Sequence, residues 1–135
     1  MSTTADTLAR LRRATLGATG LVCLAYALAA LAMDRPDPFA FWLPGAFGVA
    51  SAFIITLALN VTDRKSAKAA TDEGYRADTH RAARVAYWIA LALYPLFGVL
   101  LASGLTTFPT AFAAMGTLTG AAFLLLFTLF DWQGR

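Results

Sequence analysis

Four uncharged apolar runs decide what this chain can fold into. Residues 14–33, 39–61, 85–105 and 111–130 contain no Asp, Glu, Lys, Arg or His. Twenty residues span roughly 30 Å as a helix, the thickness of the hydrocarbon core of a bilayer. The chain has 135 residues, 59% of them hydrophobic and 14% charged. A soluble fold of that size has too much surface to hide four such runs from water. In hydrocarbon the backbone must satisfy its own hydrogen bonds, and runs of this length do so as helices. The expectation is an all-α fold, a four-transmembrane-helix bundle forming one domain over residues 1–135.

The segments between the runs set the topology. Asp34-Arg35-Pro36-Asp37-Pro38 is a short turn, because two prolines with polar neighbours stop a helix. Residues 103–110 form a second short, uncharged turn. Each turn joins two runs into a helical hairpin. Between the hairpins lies the long polar connector 62–84, TDRKSAKAATDEGYRADTHRAAR. It holds six of the eleven Lys and Arg residues, four of the eight acids and the only histidine. If residues 1–13, the connector and the C-terminus share one side, that side carries ten of the eleven basic residues and the other only Arg35. The positive-inside rule then predicts both termini and the connector in the cytoplasm, as in a bacterial inner-membrane protein. The net charge of +3 is explained by this bias and implies no nucleic acid.

Residues 1–33 can also be read as a secretory signal, with Arg10, Arg12 and Arg13 before the apolar run and Ala30-Leu31-Ala32 as a small-residue cleavage site. The run is longer than a typical signal core, which favours a retained helix. Cys23, the only cysteine, follows Gly20-Leu21-Val22 and lacks the small residue that precedes a lipidated cysteine. It reads as a small buried hydrophobe. Ala5-Asp6-Thr7 and Ala77-Asp78-Thr79 precede the two hairpins, a short internal echo compatible with duplication or with chance.

Within the runs, Phe39, Phe41 and Trp42, then Tyr87 and Trp88, and finally Trp132 suit the headgroup boundary. Pro44 falls in the first turns of the second helix, where its missing N–H costs little. Pro95 is expected to kink the third helix and free a backbone carbonyl one turn earlier. Asn60, Tyr94, Thr117 and Thr119 are candidates for an uncharged polar lining. Gly116 and Gly120 form a G-x-x-x-G element that lets another helix approach. Packing inside the bundle is the favoured use, with self-association as the alternative. No Asp, Glu, Lys, Arg or His lies in a run, which weighs against a proton-coupled carrier. Small four-helix multidrug exporters are similar in size but need a glutamate in the first helix, where this chain offers uncharged groups such as Thr19, Cys23 and Tyr26. Thr106-Thr107-Phe108 resembles an element of small fluoride channels, but it falls in a turn and no Gly-rich first helix ending in arginine accompanies it.

The connector carries the remaining candidates. Thr71 is the expected N-cap, with Asp72 and Glu73 in the first turn of a helix that enters the membrane as the third span from about residue 72. Asp72 and Arg76 are spaced i, i+4 in the favourable order. Glu73, Arg76, His80 and Arg84 fall on one face and, with Asp72, form a candidate docking surface. Glu73, Asp78 and His80 match no recognised metal set, so no metal, cofactor or catalytic residue is assigned. Arg64, Lys65, Lys68, Arg81 and Arg84 suit anionic lipid, at roughly 1 kcal/mol each.

Asp72, Glu73 and Arg76, followed by Arg81-Ala82-Ala83-Arg84-Val85-Ala86-Tyr87-Trp88, resemble a diffuse group of small four-helix bacterial inner-membrane proteins of unknown function whose connector carries an Asp-Glu-x-x-Arg element. Gly74 departs from the arginine of that group, and about fifteen residues carry the likeness. The resemblance implies a membrane protein acting with a cytoplasmic regulator. The expected function is therefore a non-enzymatic accessory or interaction protein whose helices pack on a larger complex or a second copy. The alternative is a small oligomeric channel or carrier for a neutral solute or anion.

Overall fold

The computed structural model describes residues 3–133; Arg135, counted above among the basic residues, lies outside them. It comprises five helices: α1 Thr3–Met33, α2 Leu43–Val61, α3 Arg64–Ala70, α4 Glu73–Ala102 and α5 Phe108–Gln133. No strand occurs among the described residues. Four of the helices, all but α3, are long and apolar enough to cross a membrane.

The helix boundaries follow from local chemistry. α1 does not wait for the apolar run at residue 14 but starts at Thr3, so its 31 residues reach about 46 Å and carry Arg10, Arg12 and Arg13 on the same rigid rod. It ends in a Schellman turn: the Arg35 N–H donates to Ala30 O (3.0 Å) and the Asp34 N–H to Leu31 O (3.4 Å). Asp34 takes the left-handed conformation (φ 46°) usually left to glycine. α4 closes with the same motif, Leu105 donating to Leu100 O (3.0 Å) and Gly104, at φ 68°, to Leu101 O (3.1 Å).

α2 begins at Leu43 rather than near residue 39, because Leu43 N–H first closes a turn on Ala40 O and Pro44 then occupies the first helical turn. α3 is capped by Asp63, whose carboxylate accepts from Ser66 N–H (3.0 Å). The expected cap of the next helix shifts by one residue. Asp72, not Thr71, accepts from Tyr75 N–H (3.1 Å), and Thr71 instead ends α3 with its hydroxyl donating to Ala67 O (3.0 Å). A carboxylate at the N-cap satisfies an orphan amide and the positive helix end together, which a threonine hydroxyl does less well. α4 runs through Pro95 as one assigned helix of 30 residues.

Packing follows the order α2, α1, α5, α4. α1 lies against α5, α5 against α4, and α2 and α3 against α1; no comparably packed pair of α2 with α4 occurs among the described residues. The α1 seam is a stripe of small residues, Ala5, Ala9, Cys23, Ala27 and Ala30, all buried. On the seam between α1 and α5, a β-carbon on Gly20 would lie 2.9 Å from the Leu125 side chain and one on Gly17 3.3 Å from Thr128. The second contact, between α4 and α5, centres on Leu93, Phe97, Ala111 and Ala114. α2 is joined to α1 by hydroxyls: Thr19 Oγ1 and Ser51 Oγ are 2.6 Å apart, and Ser51 donates to Thr15 O (3.2 Å). Such bonds hold helices together where apolar burial gives little net drive.

Candidate functional site

One side chain gathers four helices at one end of the molecule. Arg12, on α1, is 6% exposed. Its Nη1 donates to Ala70 O at the end of α3 (2.6 Å), and its Nη2 donates to Asp131 Oδ1 near the end of α5 (2.7 Å). The guanidinium carbon lies 4.3 Å from the centre of the Tyr75 ring on α4 and 5.5 Å from that of Phe127. Tyr75 and Phe127 in turn meet edge to face at 5.6 Å. Arg13 adds a second, longer ion pair, its Nε 3.4 Å from Asp131 Oδ2. A guanidinium can do all this at once because it is planar, always charged and weakly hydrated: its edge donates while its face stacks.

The opposite end has its own clasp. Asp34 Oδ1 accepts from Thr106 Oγ1 (3.1 Å) and Thr107 N–H (3.3 Å), tying the turn after α1 to the turn after α4. Tyr26 donates to Pro36 O (3.0 Å) and meets Phe39 edge on. The start of α1, α3, the start of α4 and the end of α5 thus meet at one end, and the two short turns at the other.

Two neighbouring hollows lie at this end of the molecule, the first of them lined by Arg12. A cavity of about 210 Å³ is lined by Asp6, Arg12, Asp72, Tyr75, Asp78 and Asp131, among others. It brings together Asp6 and Asp78, the aspartates of the two repeated Ala-Asp-Thr triplets. Beside it an open groove of about 610 Å³ runs between α3 and α4, with Lys65 and Lys68 facing Asp72, Glu73 and Arg76. Asp63, at the start of α3, is held below its ordinary carboxylate value of 3.8, first by the hydrogen bond from the Ser66 backbone.

The candidate docking residues Asp72, Glu73, Arg76, His80 and Arg84 are all exposed. The first three share the groove with the α3 lysines. His80 and Arg84 lie farther along α4 and do not line it. No group of three or more His, Cys, Asp or Glu side chains able to hold a metal ion occurs among the described residues.

The membrane candidates do not form one path. Tyr94 and Thr119 line an apolar groove of about 590 Å³ between α4 and α5, together with Gly98 and Gly116. Thr117 and Asn60 lie outside it, and Asn60 is exposed at the end of α2. The threonine hydroxyls turn back on their own helix, Thr117 donating to Ala113 O and Thr119 to Met115 O, both at 2.8 Å. Gly116 and Gly120 are not used inside the chain as favoured above. A β-carbon on either would meet nothing within 4 Å, and the glycines that seat a neighbouring helix are Gly17 and Gly20.

Sequence reasoning missed the pairing of Arg12 with Asp131. Its signal was there: the small-residue stripe read backwards from Ala27 through Cys23 and Thr19 reaches Arg12, Ala9 and Ala5 at helical spacing, so Arg12 belongs to the buried face. Ser51 was missed too, as one hydroxyl in a long apolar run gives no periodic signal. Compared with protein-family models, curated proteins and solved structures, the chain gives no match.

Proposed function

We propose that this chain is a non-enzymatic, multi-pass accessory or interaction protein of a bacterial inner membrane, built as two helical hairpins that hold a cytoplasmic docking surface. Both termini and the connector lie in the cytoplasm in this reading, on the strength of the ten-to-one charge bias. The third span bends at Pro95, where the ring removes the bond to Leu91 O.

One observation carries the reading: the exposed groove of Lys65, Lys68, Asp72, Glu73 and Arg76 belongs to a connector that is pinned rather than loose. Arg12 bonds to the last carbonyl of α3, and Asp63 and Asp72 cap the two helices that flank the groove. A surface whose backbone is held in advance binds a complementary partner without first losing connector backbone entropy. Anionic lipid is the other partner these lysines suit.

The test is purification of the membrane complex with the groove charges reversed by Lys65→Glu, Lys68→Glu, Glu73→Lys and Arg76→Glu, leaving the Asp72 cap in place. Loss of the co-purifying cytoplasmic protein is expected. Retention of the same set of partners would count against docking at this groove.

A second reading, an oligomeric channel or carrier for a neutral solute or anion, rests on Tyr94 and Thr119 sharing the groove beside the open glycines. Solute flux into vesicles that is lost in Tyr94→Phe would favour it.

A further inference from the structure

At the same end as Arg12, on a different side of the molecule, α1 and α5 leave an open groove of about 760 Å³. Arg10 and Arg13 stand on its α1 wall, and Leu125, Thr128, Leu129 and Trp132 form its α5 wall. The level of this groove is fixed by sequence. Arg13 immediately precedes the uncharged run of α1, and Asp131 immediately follows that of α5. The 3.4 Å contact between Arg13 and Asp131 puts these two run ends side by side. Below them the groove wall is aliphatic; above them it is cationic.

The two arginines are differently prepared. Arg13 is steadied through Nε, which donates to Ala9 O (3.3 Å) and approaches Asp131 Oδ2, so its terminal nitrogens have no partner among the described residues. Arg10, three residues earlier and so on the same face, is exposed and has no ion-pair or hydrogen-bond partner among them. An arginine fork held by its Nε and open at its tip matches the geometry of a phosphate. Trp132, 69% exposed, stands opposite at the depth where indoles favour the headgroup layer.

We propose that this groove is a binding site for an anionic phospholipid. The headgroup phosphate is taken between Arg10 and Arg13, and one acyl chain lies along Leu125 and Leu129. The occupant follows from the joining of the two halves: an acidic peptide matches the arginines but offers nothing to the aliphatic wall, and a zwitterionic lipid matches the wall but brings no net charge to the arginines. The proposal rests on the membrane-spanning reading above, and it is independent of what docks on the connector.

The test uses the full chain with Trp42→Phe and Trp88→Phe, so that Trp132 is the only indole, reconstituted in phosphatidylcholine vesicles containing phosphatidylglycerol. Bromine on the acyl chains of either lipid quenches a nearby indole. Quenching by brominated phosphatidylcholine reports that Trp132 sits in a bilayer at all; none with either lipid would overturn the membrane reading and this proposal with it. With insertion established, brominated phosphatidylglycerol is expected to win at Trp132 by roughly twenty-five-fold over a random mixture, about fivefold for each of the two arginines. Arg10→Gln, which removes no hydrogen bond or ion pair among the described residues, should cut that preference about fivefold, and adding Arg13→Gln should bring it near unity. Arg13→Lys should recover part of it, since the charge returns without the fork. A preference near one in the parent protein, a preference untouched by Arg10→Gln, or displacement of the lipid by inorganic phosphate alone would each overturn the proposal.

Discussion

Arg12 and Asp131, 119 positions apart in sequence, meet at 2.7 Å with both residues at least nine-tenths buried. The first belongs to the polar start of α1 and the second to the polar end of α5, yet neither is left to solvent. Their contact closes the long α1–α5 seam at the end where the apolar runs stop, and through Ala70 and Tyr75 it also fixes α3 and the start of α4. Removing Asp131 leaves Arg12 a buried charge without its carboxylate, and removing Arg12 leaves Asp131 only the longer contact with Arg13. Asp131→Leu or Arg12→Met is expected to cost about 3–5 kcal/mol, whereas the two together, which remove both charges, should cost far less than the sum. Reversible unfolding of the four proteins in mixed micelles checks this.

Gly20 and Gly116 should respond in opposite ways to the same change. A β-carbon on Gly20 collides with Leu125 at 2.9 Å, and the neighbouring Leu124 is 3.1 Å away. Gly20→Ala is therefore expected to destabilise by about 1–3 kcal/mol. Gly116→Ala and Gly120→Ala meet open space and should leave the monomer unchanged or gain up to about 1 kcal/mol from helix propensity. If copies of the chain associate through that edge, Gly116→Ile should abolish the dimer seen by cross-linking without lowering monomer stability.

Only hydroxyls join α2 to α1 by side-chain hydrogen bonds among the described residues. Ser51→Ala removes two of those bonds. Hydrogen bonds between membrane helices are worth about 0.6 kcal/mol on average and at most about 1.7, so a loss in that range is expected. Because α2 otherwise buries little, faster backbone hydrogen exchange should be confined to α2.

The four spans were legible in the sequence because apolar length alone specifies them in a bilayer. The lateral order α2, α1, α5, α4 was not, because nothing in four greasy faces says which neighbours which. Exposure of an apolar residue is ordinary in lipid, so the usual guide of hydrophobic inside and polar outside fails in the spans. Buried polar groups are what carry the order here: Arg12, Thr19, Ser51 and Asp131 are each placed by a specific partner. The exposure of Asp72, Glu73 and Arg76 was easier to foresee, since they stand in a polar connector between apolar runs. The shift of the cap from Thr71 to Asp72 turned on a preference worth a fraction of a kcal/mol, below what sequence inspection resolves.

The pH dependence of α3 follows from Asp63. Its carboxylate is held below 3.8 by the Ser66 backbone, so folding favours the charged form. The sign is that of a depressed acid: the stabilisation is complete above the unfolded value and is lost as pH falls through the lower, folded one. Amide exchange at Ser66, corrected for intrinsic rates, should keep constant protection from neutral pH down to about pH 5 and lose it in stronger acid. In Asp63→Asn, which retains a capping oxygen, the acid step should vanish.

The central claim, four spans with the connector on the cytoplasmic side, is tested most directly by single-cysteine labelling in a Cys23→Ala background. Lys68→Cys on α3 and Arg35→Cys in the turn after α1 are exposed to a membrane-impermeant maleimide, applied to intact spheroplasts of a bacterial expression host and then to lysed ones. The account predicts that Arg35→Cys reacts in intact spheroplasts and Lys68→Cys only after lysis. Reaction of Lys68→Cys in intact spheroplasts, or protection of both positions until lysis, would contradict it.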